Sequence, residues 1–234
     1  MLTLIIAESA LEVIPEEIRG DPRILAYSKR AGKDPCRMLL DKSYHYAAMG
    51  RIDQKEKRGR PDIVHLTLLE ALGSPLNLEG LLQTYVHTIN DQTITINPKT
   101  RIPRNYNRFV GLMEQLFQTG KTPMRGDVLL ELKKAELKSL IKSIGASYVY
   151  AFSRVGRPAT VKEIGVLLRD RRNPAILVGG FPKGHLTPKT LEAANDCFCV
   201  DPSPLDAWVV VSRVISAYEE AIGLPERRLS RIRR

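Results

Sequence analysis

The second half of the chain alternates short apolar runs with amphipathic stretches, and this alternation strongly constrains the fold. Strand-forming residues at 128–132, 147–153, 174–180 and 197–200 are separated by segments with helical periodicity. Strands that alternate with helices imply a largely parallel sheet with helices on both of its faces. We therefore expect an α/β fold, built on a mostly parallel sheet flanked by helices.

The front half adds elements of both kinds. Its hydrophobic pattern predicts strands at 2–8, 83–90 and 92–97, and helices at 23–30, 40–49 and 105–118. Residues 62–72 fit either a strand that runs into a helix or one buried helix. Further helices are predicted at about 134–144, 160–169 and 205–222, and a capping box from Thr160 to Glu163 begins the second of these.

The chain is basic, with 36 Lys and Arg against 26 Asp and Glu and a net charge of +10 over 234 residues. A surplus of this size favours a polyanionic partner, although solubility alone could also explain it. Arginines cluster at 101–108, 169–172 and 227–234, as expected of a protein that contacts phosphates. The sequence contains no apolar run of 18 residues, so we expect no membrane partner.

The cysteines and histidines indicate the cellular compartment of the protein and the kinds of chemistry that it is expected to lack. The three cysteines, Cys36, Cys197 and Cys199, are too few and too unevenly spaced for a disulfide framework, which favours a reducing, cytoplasmic location. The N-terminus also lacks the basic lead-in of a signal peptide. The Cys197–Cys199 pair is best interpreted as part of a buried strand. The four histidines are scattered, so we expect no metal site.

Three bends follow strands of the predicted sheet, where ligands of such folds bind. They lie at 153–156, 179–184 and 201–205. In the second, glycines allow close approach of the backbone to a ligand, but neither the P-loop nor the dinucleotide fingerprint fits. In the third, two prolines fix the shape of the loop, and Ser203 can cap the following helix. Each bend alone could equally be a structural turn.

Two arginine-bearing segments in the front half are candidates for a functional site. Pro61 keeps Arg60 out of a helical conformation, and Asp62 is close enough in sequence to orient the Arg60 side chain. An ordinary surface ion pair is the alternative. In the segment 101–109, Arg104 and Arg108 would share a helical face, and arginine is suited to both phosphate and base contacts.

Four ordered strings, at 59–65 (GRPDIVH), 101–109 (RIPRNYNRF), 178–184 (VGGFPKG) and 200–205 (VDPSPL), carry a family resemblance. In them the chain resembles the small-subunit ribosomal RNA pseudouridine N(1)-methyltransferases, the ribosome-biogenesis branch of the SPOUT superfamily, in a compact archaeal-type form. The resemblance implies a SPOUT α/β knot with a C-terminal trefoil knot, a homodimer, and a single domain over 1–234 with a family-specific insertion at about 50–120.

The resemblance also implies a cofactor and roles for particular residues. The cofactor would be S-adenosylmethionine, and Arg60 would act in catalysis with Asp62 holding it in place. The implied cofactor contacts are Gly179, Gly184, Val200, Asp201, Pro202, Ser203, Pro204 and Leu205. The implied RNA contacts are Arg60, Arg101, Arg104 and Arg108.

The function that the resemblance implies is methyl transfer to N1 of a pseudouridine in a hairpin loop of small-subunit ribosomal RNA. Two alternatives remain open on the sequence. One is a non-catalytic RNA-binding factor in ribosome assembly, which the basic patches would serve equally well. The other is a SPOUT methyltransferase with a different RNA target.

Overall fold

The computed structural model of the protein describes residues 1–232, in which eight strands form one sheet. The strands are β1 (Leu2–Ser9), β2 (Leu82–Thr88), β3 (Gln92–Ile96), β4 (Lys121–Thr122), β5 (Leu130–Lys134), β6 (Tyr148–Pro158), β7 (Pro174–Gly179) and β8 (Asp196–Cys199). Their order across the sheet is β4-β5-β3-β2-β1-β7-β6-β8. The five strands from β2 to β8 in this order are parallel, which confirms the predicted α/β class.

Eleven α-helices surround this sheet in residues 1–232. They are α1 (Glu16–Arg19), α2 (Pro22–Ala31), α3 (Lys42–His45), α4 (Pro61–Gly73), α5 (Pro75–Leu78), α6 (Tyr106–Thr119), α7 (Leu137–Ile144), α8 (Val161–Arg169), α9 (Pro188–Leu191), α10 (Ala207–Ala221) and α11 (Leu224–Ser230). Short 3-10 helices occupy Pro35–Arg37, Tyr46–Arg51 and Lys55–Lys57. No helix in this part of the chain has the length and apolar character needed to cross a bilayer.

Strand β1 lies at the centre of the sheet and is buried along its whole length. Its side chains alternate between the two faces, as the pleat requires. Leu4 and Ile6 join a large core with α4, α6, α8 and α10, whereas Ile5 and Ala7 join a smaller core on the opposite face with α7. A third cluster, which includes Ile14, stabilises residues 14–52.

Strands β3, β5 and β4 extend the parallel sheet with antiparallel pairing beyond β2. Helix α6 covers this extension with Phe109, Met113 and Leu116, which are buried in the large core. The segment that the sequence assigns to a strand and helix insertion therefore contributes to the same sheet as the parallel half.

The ambiguous residues 62–72 belong to α4, a single helix. Eight of its 13 residues are buried, so the helix lacks a clear polar stripe. Such a helix has no 3.6-residue periodicity, which is why the sequence could not separate it from a strand.

Three predicted boundaries are wrong in detail. The strand predicted at 128–132 lies at Leu130–Lys134, because its ladder to β3 continues to the pair formed by Gln92 and Lys134. Helix α7 consequently begins at Leu137 rather than at 134. The helix predicted at 40–49 is only one turn, α3, followed by a 3-10 helix that places Ala48 and Met49 in the third cluster.

Helices α8 and α10 pack very closely at Gly165, in the middle of α8. A Cβ atom at this position would lie 2.3 Å from the carbonyl oxygen of Ala217. The predicted capping box is also confirmed at the start of α8, where Thr160 accepts from the backbone of Glu163 and Glu163 reaches back to the Thr160 backbone.

We expect Gly165→Ala to lower the free energy of unfolding by about 1–3 kcal/mol, because an added methyl group overpacks this contact. Gly111→Ala is the matched control, since Gly111 lies inside α6 with no atom within 4 Å of its added Cβ. This control should stabilise the protein by about 0.5–1 kcal/mol through helix propensity. Urea denaturation of both variants measures the difference, and equal effects would contradict the close packing.

Candidate functional site

A cavity of about 620 Å³ opens at the carboxyl ends of β6, β7 and β8. This is the edge at which ligands of parallel sheets bind, and the volume suits a nucleoside-sized ligand. Of the predicted cofactor contacts, its walls include Gly179, Gly184, Val200, Asp201, Ser203, Pro204 and Leu205. Pro202 belongs to the same loop but does not line the cavity. The three suspected segments and Arg60 thus meet at one place.

The first segment, at 153–156, is not a bend, so this part of the prediction is wrong. Strand β6 continues through it to Pro158, and its pairing with β8 shifts register between Phe152 and Arg157. Gly156 permits this course, because a Cβ atom there would lie 2.6 Å from the backbone of Phe198. Ser153 and Arg154 still reach the cavity from the extended strand.

The glycine-rich bend after β7 is fixed by close packing. The backbone of Gly180 donates to Ala7 and accepts from Ala10, with both N–O distances at 2.8 Å. A Cβ atom on Gly180 would lie 2.4 Å from Oγ of Ser9, so only glycine fits against β1. Gly184 has a φ of +96°, a conformation that other residues rarely adopt.

The proline-shaped loop after β8 is held by Asp201. Its side chain accepts from the backbone N–H of Ser203 at 2.9 Å, which makes a tight local turn. The predicted capping role of Ser203 is wrong, because Asp206 occupies the N-cap position of α10. Two residues of chain separate Ser203 from that position, so its hydroxyl belongs to the loop that lines the cavity.

Arg60 and Asp62 form the charge-assisted contact that the sequence predicts. Nε and Nη2 of Arg60 donate to the two carboxylate oxygens of Asp62, both at 2.7 Å. This hydrogen bonding raises the pKa of Arg60, so the guanidinium stays charged. Pro61 keeps Arg60 non-helical, with φ −132° and ψ 65°, at the start of α4. The bidentate fork fixes the orientation of a cation in the cavity wall.

A buried ion pair between Glu8 and Lys57 connects this front segment to the glycine-rich bend. Nζ of Lys57 lies 2.6 Å from Oε2 of Glu8 and 4.3 Å from the centre of the Phe181 ring. Lys57 also donates to the carbonyl of His185, and Glu8 accepts from the backbone and side chain of Thr187. Burial alone would raise the pKa of Glu8, but the hydrogen bonds from Lys57 and Thr187 hold that pKa below its ordinary value.

The backbone of Glu8 is itself strained. Its φ is +49°, in the left-handed region, and the pairing of β1 with β2 shifts register between Ile6 and Ser9. Such a conformation costs an ordinary residue roughly 1–2 kcal/mol. Irregularities of this kind re-aim side chains at functional sites, and here the re-aimed carboxylate contacts Lys57.

Arg58, the residue after Lys57, forms a second buried ion pair, with Glu12. Nε and Nη2 of Arg58 donate to the two oxygens of Glu12, whose side chain is 2% exposed. Asn90 donates to the same carboxylate at 2.9 Å. Gly59 follows with a φ of +71°, and the chain then reaches Arg60. The segment just before the Arg60–Asp62 fork is therefore anchored to the chain that follows β1.

Arg101, Arg104 and Arg108 are exposed and do not line the cavity. The predicted helical face shared by Arg104 and Arg108 is wrong, because Asn105 caps α6 and Arg104 precedes the helix. The segment packs on α4, where Nε2 of His65 lies 2.7 Å from the carbonyl oxygen of Pro103.

The C-terminal arginines are partly engaged within the protein. Arg228 and Arg231 donate to Glu79 at 2.7 and 2.8 Å, which ties α11 to the end of α5. Arg233 and Arg234, also members of the predicted cluster, lie outside the described residues. Within the described part of that cluster, Arg228 and Arg231 thus contribute to tertiary structure.

Sequence reasoning missed several residues of the cavity. Phe181, Phe198 and Trp208 give it apolar walls, and Lys57 with Glu8 supports it from behind. Phe181 lies inside the bend at 179–184 but is not among the predicted contacts, and Trp208 lies three residues after Leu205, so a wider window would have included it. Glu8 could have been found in another way, because it is a charged residue at the end of a mostly apolar predicted strand.

Among residues 1–232, the cysteines and histidines do not belong to any cluster of side chains that could hold a metal ion. Cys197 and Cys199 lie in β8 as predicted, and Cys36, Cys197 and Cys199 are all free thiols. His65 is buried and stacks on Phe109, with ring centres 4.4 Å apart.

The mostly parallel sheet has a cavity at its carboxyl edge, lined by glycine and proline loops beside a fixed arginine. These features define an α/β protein with a ligand site at that edge. Comparison with known families is more specific. The chain belongs to the EMG1/NEP1 methyltransferase family, whose sequence model matches residues 4–219.

Individual relatives cover nearly the whole chain. The ribosomal RNA small subunit methyltransferase Nep1 of Thermococcus kodakarensis is 46% identical over 224 residues, which are 96% of this chain and 100% of that protein. Its counterpart in Pyrococcus furiosus is 44% identical over 218 residues, 93% of this chain and 96% of that protein. The crystal structure of Archaeoglobus fulgidus Nep1 bound to S-adenosylhomocysteine is similar with a TM-score of 0.85 and 38% identity, over 94% of this chain and 98% of that one.

Arg58 and Arg60 are expected to differ sharply in their importance for stability. Arg58→Met leaves the buried Glu12 carboxylate without its cation, which should cost about 3–5 kcal/mol at neutral pH. Arg60→Met removes a pair whose side chains are 39% and 34% exposed, so water screens it and the cost should be about 0–1 kcal/mol. Denaturant unfolding of the two variants measures this, and similar losses would contradict the anchoring role of Arg58.

Proposed function

We propose that this protein is an S-adenosylmethionine-dependent methyltransferase of small-subunit ribosomal RNA that acts on N1 of a pseudouridine. Membership of the EMG1/NEP1 methyltransferase family over residues 4–219 is the observation that carries this proposal. The meeting of both predicted cofactor loops and Arg60 around one cavity supports it independently of the comparisons.

The residues present fit the cofactor. The cavity volume of about 620 Å³ accommodates a nucleoside linked to an amino acid, and the aromatic walls suit an adenine ring. Gly184 and the loop from Val200 to Leu205 would hold it, with Gly179 at the end of β7. When bound, S-adenosylmethionine supplies an electrophilic methyl group on its sulfonium.

Arg60 would act on the acceptor base. N1 of pseudouridine carries a weakly acidic proton, and a cation beside the base stabilises the negative charge that develops as this proton leaves. Asp62 holds the guanidinium of Arg60 in a fixed orientation, because its two carboxylate oxygens accept hydrogen bonds of 2.7 Å from Nε and Nη2. Asp62 is the weaker candidate for the proton acceptor, because a carboxylate already paired with arginine binds a proton poorly.

Arg101, Arg104 and Arg108 would bind the phosphates of the RNA. All three are exposed, and none forms an ion pair with another described residue, so their charges remain available. A target base must leave its stack to enter a cavity, and a hairpin loop lowers that cost because its bases are already unpaired. A hairpin loop of the ribosomal RNA is therefore the substrate that we propose.

We further propose a single functional domain over 1–234, with 50–120 as the family-specific insertion. The continuous sheet supports the single domain, since strand β2 within 50–120 pairs directly with β1. The trefoil knot, the homodimer and the cytoplasmic location implied by the family resemblance belong to the same proposal. Helix α10, which packs on both α4 and α8, is the element that a C-terminal knot would thread.

Transfer of a labelled methyl group to an RNA hairpin tests the function directly. We expect transfer to a hairpin with pseudouridine in its loop and none to the same hairpin with uridine, because uridine offers carbon where pseudouridine offers N1–H. Binding of S-adenosylhomocysteine by calorimetry is the control for an intact cofactor site. Bound cofactor without transfer would favour the RNA-binding assembly factor, and transfer to both hairpins would indicate a different target atom.

Arg104→Ala should weaken RNA binding roughly tenfold, equivalent to about 1.4 kcal/mol, while affinity for S-adenosylhomocysteine stays unchanged. The slope of log affinity against log salt should fall by about 0.7, as expected for one lost contact to single-stranded RNA. Fluorescence anisotropy at several salt concentrations measures both, with Arg125→Ala as the control at an exposed arginine outside the three clusters. Loss of cofactor affinity together with RNA affinity would contradict separate sites.

A further inference from the structure

Two exposed tyrosines, Tyr44 and Tyr46, lie on a surface to which the proposed methyl transfer assigns no role. Tyr44 is 53% exposed and Tyr46 is 72% exposed, and no other aromatic side chain within residues 1–232 is comparably exposed. Tyr44 belongs to α3, and Tyr46 begins the 3-10 helix that follows. Exposed aromatic rings are costly in water, which marks this surface as a candidate for binding.

The ring of Tyr44 is already held in a stack. It lies on the ring of Tyr27, with centres 4.9 Å apart and planes at 27°. The guanidinium of Arg30 lies 5.3 Å from the centre of the Tyr27 ring, and His45 meets this ring edge-on at 5.1 Å. Tyr44 therefore forms the exposed end of an ordered column, so a further ring could stack there at little cost in side-chain entropy.

Helix α3 connects the two arginine-bearing segments. Asp41 caps it by accepting from the backbone of Ser43, and the other oxygen of Asp41 accepts from the hydroxyl of Tyr106 in the first turn of α6. Burial and the Asp41 charge raise the pKa of Tyr106, so this hydroxyl keeps its proton and donates. The next residue, Lys42, donates its backbone N–H to the carbonyl of Gly59 at 2.8 Å.

Tyr44 thus lies two residues from a direct contact with the Arg60 segment. The side chain of Lys42 packs on Gly59, where an added Cβ atom would lie 3.2 Å from its Cγ atom. Burial lowers the pKa of Lys42, the charge of Glu56 opposes this, and the charges of Lys183 and Arg60 add to the lowering. Lys183 and Arg60 both line the cavity. The tyrosine column is therefore connected, through Lys42 and Gly59, to the segment that carries Arg60 into the cavity wall.

From this arrangement we propose that Tyr44 stacks on an unpaired base of the RNA, next to the nucleotide that enters the cavity, with Tyr46 beside it. The inference deepens the proposed function and rests on RNA being the substrate. A nucleic-acid base is the partner that an aromatic ring among lysines and arginines fits, because its flat face stacks while its phosphate neutralises the cations. An acidic protein would match the charge but would not require an ordered column with one free ring face.

The test is the affinity of Tyr44→Ala and Tyr44→Phe for the pseudouridine hairpin, measured by anisotropy. Alanine should weaken binding about tenfold, or about 1.4 kcal/mol, within the range of one base–aromatic stack. Phenylalanine keeps the ring and should remain within about twofold of the original protein. The salt slope should be unchanged in both variants, because no charge is removed. Leu78→Ala, at an exposed apolar residue of α5, is the control.

A set of hairpins with single abasic nucleotides beside the pseudouridine shows whether the partner is a base. One of these hairpins should bind the original protein about tenfold more weakly, and Tyr44→Ala should cause no further loss with it. An equal loss with every abasic hairpin, or no loss from Tyr44→Ala, would overturn the inference. So would a change in sedimentation of Tyr44→Ala, since the surface would then be a subunit contact.

An assay of methyl transfer distinguishes a failure of this inference from a failure of the proposed function. If the original protein binds the hairpin but transfers no methyl group, the proposed function fails while the stacking measurements still decide the role of Tyr44. If the original protein binds no hairpin, both proposals are wrong. Unchanged affinity for S-adenosylhomocysteine in the tyrosine variants shows that any lost RNA affinity does not come from unfolding.

Discussion

The geometry of the site depends on two buried ion pairs at the end of β1. Glu8 with Lys57 and Glu12 with Arg58 tie the end of β1 and the chain just after it to the chain before Arg60. Buried pairs of this kind add little net stability, because removing two charges from water offsets much of their attraction. Their value here is geometric, since Lys57 also contacts the carbonyl of His185 and thereby joins the arginine segment to the glycine-rich bend. Two segments more than 120 residues apart thus become walls of one cavity.

Local patterns in the sequence predict β6, β7 and β8 of the parallel half, but the run at 128–132 forms β5, which pairs antiparallel with β3. Continuous apolar runs such as 174–180, separated by periodic helices, define such a sheet, and its carboxyl edge is then known. The fork between Arg60 and Asp62 was also predictable, because both residues lie in one short segment around a proline. These features depend on neighbours in sequence, and the structure reproduces them.

Features that depend on distant residues could not be predicted. Strand β6 passes through 153–156 because β8 lies against it at Gly156, and the sequence gives no sign of that neighbour. Arg104 lies outside α6 because the Asn105 side chain caps the helix, a choice among several suitable starting residues. The partner of Lys57 is Glu8, 49 residues away along the chain, so local patterns could not identify it. For β6 and Lys57 a tertiary contact decided between local alternatives, whereas the start of α6 was decided by a local cap.

The end of the sheet formed by β4 and β5 affects how the protein can associate with other chains. Strand β4 covers only two positions of β5, so part of the β5 edge has no neighbouring strand. Exposed edges of this kind can pair with another chain and begin aggregation, and charged side chains discourage such pairing. Lys133 and Lys134, both exposed, stand at that part of β5. Some of the positive charge of this chain is therefore placed where it disfavours strand pairing at the open edge of the sheet, apart from the arginines proposed to bind RNA.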